Sequence, residues 1–281
     1  MTHVVCVGLA TLDTILAVPR HPGADDRVVA SELALAGGGP AATAAVTVAR
    51  LGVPAFFVGR AGDDEAGAAI RDGLEEEGVD VSELVLVAGA RSPQSSILVG
   101  AGSRAIAAYP GTLPRMALSE RAGRLCRDAA WVHVDHVGYG AVPRAARLSI
   151  DGGNPIEGLD LRGVALYAPT ESALHERFGS PQDAIEAGAE LVVVTRGAEG
   201  SAAYGRDGEV VEAPGYSVDP VSTLGAGDVF HGALLAQLVA GVSLRDALEF
   251  ANTCAALSCR ALDGRSAIPT PGELSAVPSQ M

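Results

Sequence analysis

Short apolar runs alternate with helical patterns along most of this chain, and that alternation limits its possible folds more than any other feature. Val4 to Gly8 reads as a short buried strand, Pro40 to Leu51 as an Ala-rich helix and Pro54 to Gly59 as the next strand, which makes a βαβ beginning. Asp63 to Glu77 follows as an acidic amphipathic helix with Ala66, Ile70 and Leu74 on one face, and Leu84 to Val87 as a strand. Further strands are expected at Ala130 to Val134, Leu148 to Ile150, Val164 to Tyr167 and Leu191 to Thr195, with helices at Ser119 to Arg127 and Thr170 to Phe178. The C-terminal third reads as helical, Ala226 to Ala240 and Leu244 to Ala261 being separated by the Gly241 turn. Such alternation predicts an α/β fold with a mostly parallel sheet covered on both faces. For 281 residues a single domain, spanning 1–281, is the simpler reading.

Two stretches break the rhythm. Residues 14–35 and 91–110 lack a helical period, and the run SSILVGAGSRAIAAY inside the latter has the pattern of a hairpin turning at Gly100 to Ser103. Both are assigned to a small β lid, the alternative being an ordinary surface hairpin.

Composition removes several chemistries. All 20 basic residues are arginine, so there is no lysine for a Walker-type P-loop, for a protein-kinase ATP site or for a Schiff base. Phosphate chemistry would have to use backbone amides, arginine or metal. A net charge of -14 with no basic block opposes binding to nucleic acid or to an anionic membrane. The first residues lack the pattern of a signal peptide and no run of eighteen apolar residues occurs, so a cytoplasmic protein is expected. Cys6, Cys126, Cys254 and Cys259 form no CxxC pair and read as buried free thiols.

The segment STLGAGDVFHGALLAQL, Ser222 to Leu238, is a glycine-rich turn running into an apolar helix. Amides of Gly225, Ala226 and Gly227 could converge there on a phosphate oxygen, with the helix dipole adding favourable potential. Asp228 stands in the first helical turn, positioned to accept a proton. A glycine-rich helix start with a first-turn Asp also occurs as a plain cap. GGGPAATAAVTVARLG, Gly37 to Gly52, is another glycine-rich approach to a helix, suited either to a ligand or to tight packing on the sheet. Asp13 alone reads as a strand-end turn former or a ligand.

Together these segments resemble the ribokinase-like, or PfkB, sugar kinases. The family's motifs occur in order: Gly8 to Asp13, Gly38-Gly39 leading to ARLG at 49–52, TRGAEG at 195–200, GAGD at 225–228 and AIPT at 267–270. The resemblance implies a doubly wound α/β domain, with sugar held between sheet edge and β lid and ATP across the C-terminal strands. By position it assigns Asp228 as the base and the 225–227 backbone as the anion hole. Asp13, Gly38, Gly39 and Thr43 would bind sugar hydroxyls, and Arg104, at the lid hairpin, faces either sugar or solvent. Thr195, Gly197, Gly200, Asn252 and Gly264 would line the nucleotide. The implied cofactors are ATP and Mg2+, and a homodimer paired through the lid is the implied assembly.

The sequence departs from the pattern in places. Where relatives commonly carry Pro-Asn-x-x-Glu near the magnesium, this chain has Pro169-Thr170-Glu171-Ser172-Ala173, leaving Glu171 as a shifted metal ligand or a solvated helix-start acid. Ser222 replaces an Asp that often supports a monovalent cation, and residues 138–149 read as a shortened segment. His231 reads as a packing residue, and His133, Asp135 and His136 fit no zinc spacing. Leu224, His231 and GGGPAATAA are most similar to ketose-type members such as ketohexokinase and sulfofructose kinase. Pentoses, keto-deoxy sugar acids and nucleosides stay open. A relative that binds a sugar or nucleoside as a sensor, without phosphorylating it, is the alternative from another class.

Overall fold

The structure is a computed structural model that describes residues 2–143 and 146–276. The first strand, β1 (Val4–Gly8), shows why the apolar runs are continuous rather than alternating: Val4 and Cys6 enter one core, Val5 and Val7 the other, and all four are fully buried. After it come β2 (Thr11–Ala17), β3 (Glu32–Gly38), α1 (Pro40–Arg50), β4 (Ala55–Gly62), α2 (Glu65–Glu76) and β5 (Asp80–Val87). The middle of the chain forms β6 (Gln94–Gly100), β7 (Ser103–Tyr109), α3 (Glu120–Asp128), β8 (Trp131–Val134), β9 (Leu148–Asp151) and β10 (Leu166–Ala168). Then follow α4 (Glu171–Phe178), α5 (Pro181–Glu186), β11 (Leu191–Thr195), β12 (Ser201–Gly205), β13 (Val210–Ala213), α6 (Ala226–Ala240), α7 (Leu244–Ser258) and α8 (Pro271–Ser275).

Nine strands form the main sheet in the order β13-β12-β11-β10-β9-β8-β1-β4-β5. Pairings from β5 through β11 are parallel, and β12 and β13 add an antiparallel edge. Helices α1, α2, α6 and α7 bury their apolar faces in one core, while α3, α4 and α5 fill the other. The chain leaves β1 toward β4 on one side, whereas β8 lies on the other, so the carboxyl ends of β1 and β8 flank a crevice of the kind where open α/β sheets bind ligands.

The expected lid is a four-stranded sheet, β3-β2-β6-β7. It reaches beyond the predicted bounds, since β2 starts at Thr11 and β3 runs to Gly38. One face buries Ile15, Ile97 and Val99 with Leu262. The register places Leu33 and Leu35 on the opposite face, opposite Leu16 and Thr14, and these two leucines are 61% and 67% exposed.

Some expectations are corrected. The C-terminal third is not purely helical, because β12 and β13 form a hairpin edge, and the small residues of β12 give little strand signal. The strand read at Leu84 to Val87 is the latter half of β5, and the one read at Val164 to Tyr167 is β10. No helix occurs among the described residues between β8 and β9, in line with the shortened segment.

Candidate active site

Six of the eight α-helices among the described residues begin at a side chain that caps a free amide: Asp64, Ser119, Thr170, Ser180, Ser243 and Thr270. The other two, α1 and α6, begin at Gly39 and Gly225 with no side-chain cap. Their first-turn amides are the ones left for a ligand to satisfy. Asp228 therefore does not cap its helix. Gly225 holds a left-handed φ of 73°, and a Cβ there would stand 3.0 Å from Cα of Gly264. Beyond it, Gly227 faces open space.

Helix packing brings the two uncapped termini together. Gly232 of α6 lies so close to α1 that a Cβ would meet the Ala44 carbonyl at 2.5 Å. The Asp263 to Ser266 turn then ties both together. Asp263 accepts from the amides of Arg265 and Ser266 at 2.7 Å each, Gly264 packs on Gly225, and Arg265 donates to the Gly38 carbonyl at 2.7 Å and to Thr43 Oγ1 at 3.2 Å. Arg50, from ARLG, pairs with both oxygens of Glu77 and donates to the carbonyls of Arg265 and Ile268 at 2.8 and 3.0 Å. Two motifs far apart in sequence thus form one joint.

Arg265 was not anticipated from sequence. It is buried, it has no carboxylate within ion-pair distance among the described residues, and burial pulls its pKa down to about 10 against the pull of Asp13, Glu77, Asp228 and Asp263. The available signal was a lone arginine between a turn, Asp263-Gly264, and an apolar stretch. Asp13 comes from β2, on the core-facing side of the lid, and burial raises its pKa against hydrogen bonds from Thr11 and Ser95 and the charge of Arg265. Its Oδ1 is buried without a partner, an acceptor awaiting a donor. Arg104, from β7, donates to Thr223 Oγ1 at 2.7 Å, so the lid reaches the residue two before Gly225. Thr43 is buried and its hydroxyl oxygen is engaged by Arg265.

Asp228 has neither a hydrogen bond nor an ion pair to its side chain among the described residues. Burial pushes its pKa well above the usual carboxylate range, aided by the charges of Asp151 and Asp135 and opposed by Arg265 and Arg104. Asp135, at the end of β8, is saturated: it accepts from the amides of Leu9, Ala41, Val137 and Gly138 at 2.7 to 3.2 Å. It is a buried backbone hub rather than a solvated group. His133 is buried beside it in the strand, donating or accepting at Ser149 Oγ at 3.1 Å, and burial with the nearby His231 holds its pKa well below the ordinary histidine value. Asp151, at the end of β9, lies 3.9 Å from Nδ1 of His231 and was missed because it stands one residue past the expected strand.

Of the expected nucleotide residues, Gly264 packs on Gly225, whereas Thr195, Gly197, Gly200 and Asn252 gather around the β11–β13 edge. Thr195 ends β11, and Gly197 and Gly200 bound the short turn after it. Gly200 packs against the Ala213 carbonyl, and Asn252 of α7 donates to the carbonyls of Ala213 and Pro214 at 3.1 and 3.0 Å. Asn252 thereby fixes the wall of that turn. Glu171, in the first turn of α4, is 70% exposed and stands 3.8 Å from Arg196.

A doubly wound sheet, a lid, an uncapped glycine helix start and an unpaired carboxylate beside it define a phosphotransferase that acts on an alcohol. A profile of the pfkB family carbohydrate kinases matches residues 1–146 and 161–271, and this chain belongs to that family. It is similar to the ATP-dependent ribose-1-phosphate kinase of Halopiger xanaduensis, 31% identical over 300 residues and covering 100% of this chain and 99% of that one. It is also 26% identical to the ribokinase of Bacillus subtilis over 98% of both chains. Among solved structures, Arabidopsis thaliana ribokinase complexed with ribose and ATP shares the fold at a TM-score of 0.81, with 22% identity and 98% coverage of each chain. Thermotoga maritima ribokinase shares it at 0.82, with 23% identity, over 98% of this chain and 99% of that one. The chain is an ATP-dependent carbohydrate kinase. No described helix is long and apolar enough to cross a membrane.

Proposed function

We propose that this kinase transfers the γ-phosphoryl group of ATP to a hydroxyl of a small sugar, with Asp228 as the base and the amides of 225–227 as the anion hole. The supporting observation is that, among the described helices, only α6 and α1 start without a side-chain cap, and that the carboxylate in the first turn of α6 has no hydrogen-bond or ion-pair partner among the described residues. An amide cluster of this kind stabilises charge on a transferring phosphoryl group, whose loose transition state asks mainly for positioning and electrostatics. A relative kept only as a sensor would have no use for a free carboxylate there.

On the acceptor side, the buried unpartnered Oδ1 of Asp13 calls for a hydroxyl donor, which supports a polyol acceptor. Gly38, Gly39 and Thr43 line the same wall, with Arg265 holding Gly38 and Thr43 in place. We favour a ketose or related sugar; nucleosides and keto-deoxy sugar acids are the competing acceptors, as is the phosphorylated pentose named for the Halopiger relative. Thr195, Gly197, Gly200, Asn252 and Gly264 form the nucleotide side.

Magnesium would enter with the nucleotide. It takes most of its ligands from phosphate and water and needs only one or two carboxylates, and the exposed Glu171 is an oxygen donor of that kind. When bound, the ion neutralises charge on the β- and γ-phosphates. The exposed apolar face carrying Leu33 and Leu35 supports a homodimer paired through the lid.

Asp228→Asn tests the reading. ADP release with a panel of sugars should fall by about 10² to 10⁴, the usual contribution of a positioned base, while ATP binding persists. Turnover near that of the unaltered enzyme would remove Asp228 from the reaction.

A further inference from the structure

Asp228 and His231 are three residues apart on α6 and so share a helix face, and Asp151 projects from the adjacent end of β9. One ligand atom from each of these residues lies within 4.8 Å of the other two. Atoms bound to one ion at about 2.1 Å each stand roughly 3 to 4 Å apart, so a movement on the order of 1 Å closes the set. An independent observation points the same way. His231 is only 6% exposed, its Nδ1 is buried with no hydrogen-bond partner, and that nitrogen is directed at Asp151, 3.9 Å away. In the tautomer protonated at Nε2, this partnerless Nδ1 offers its lone pair to a metal.

We propose that Asp151, Asp228 and His231 form a binding site for a first-row transition-metal dication such as Zn2+, separate from the magnesium carried by ATP. One nitrogen and two carboxylate oxygens suit a borderline ion, whereas magnesium prefers oxygen alone. A dication here would offset the mutual repulsion of Asp151 and Asp228. It would also engage the lone pair with which Asp228 accepts the acceptor proton, so occupancy switches the kinase off. This regulatory consequence rests on Asp228 being the base; the binding site itself does not.

The probe is Zn2+ titrated calorimetrically into the full-length, nucleotide-free protein in excess Mg2+, followed by kinase assays over the same range. Saturable binding near one equivalent is expected, weakened at least about 10-fold by His231→Gln and by Asp151→Asn, in keeping with the loss of one ligand. Circular dichroism checks both variants, and if His231→Gln does not fold, Asp151→Asn decides. Absence of saturable binding, or binding that both folded variants retain unchanged, overturns the site. Inhibition with the same midpoint as binding supports the switch, and full activity with Zn2+ bound overturns it. An enzyme that binds Zn2+ yet never phosphorylates a sugar counts against the kinase assignment of Asp228 and leaves the site standing.

Discussion

Asp228 carries its charge at a cost. Its folded pKa is raised by burial and by Asp151 and Asp135, so the folded state binds its proton more tightly than the unfolded chain does. The stability this protonation contributes is complete below the ordinary aspartate pKa and is lost as pH rises through the raised value. Asp228→Asn should therefore raise the melting temperature at pH 7 to 8 relative to the unaltered enzyme, and the gain should vanish near pH 3, as thermal denaturation across that range would show. The proposed catalytic role has the opposite demand, since only the ionised form can act as base. Turnover should rise with pH along a limb that lies above the normal carboxylate range. Arg265 is the first of the charges that lower this pKa, and Arg265→Gln should move the limb to higher pH, measured as the profile of kcat. A limb that stays in place would show that Arg265 acts only through its bonds to Gly38 and Thr43.

Among the elements, the starts of α1 and α6 are the unusual ones. Every other α-helix described satisfies an early amide with its own Asp, Ser or Thr, which makes those termini self-contained. The two glycine starts leave that role open, and the close contact at Gly232 sets them side by side. Gly225→Ala tests the α6 start. Its left-handed backbone costs a residue with a Cβ about 1 to 2 kcal/mol, and the new atom would press on Gly264. A modest loss of stability in urea denaturation should accompany a much larger loss of kcat, because the amides, not the core, are displaced. Equal small losses in both would mean that this turn does not hold the phosphoryl group.

At the scale of the whole molecule, the joint made by Arg50, Glu77 and the 263–268 turn connects α1 to the glycine loop before α6. Arg50→Met removes a partly buried bidentate pair and two carbonyl contacts, and a loss of about 2 to 3 kcal/mol is expected in equilibrium denaturation. The lid's outer face poses a question of assembly. Leu33 and Leu35 stand exposed on a sheet whose other face is packed, and Leu35→Glu should convert a homodimer to a monomer in light scattering. An unaltered protein that is already monomeric would remove this pairing. Much of the architecture was legible beforehand because strand and helix periods are local: the apolar runs of β1, β4, β8 and β11 and the glycine approaches to α1 and α6 announce themselves in a few residues each. The β12–β13 edge was not legible, since the small residues of β12 form a strand by pairing with β11 and β13 pairs in turn with β12. Arg265 and Asp151 escaped for a related reason. A single arginine or aspartate has no spacing to betray it, and its role depends on which distant backbone it meets. The order of motifs along the chain determined the family. Only the tertiary structure decided that α1, α6 and the turn at 263–266 share one joint, because close packing brings together groups more than two hundred residues apart and leaves Asp13 and His231 with buried atoms that no described neighbour satisfies.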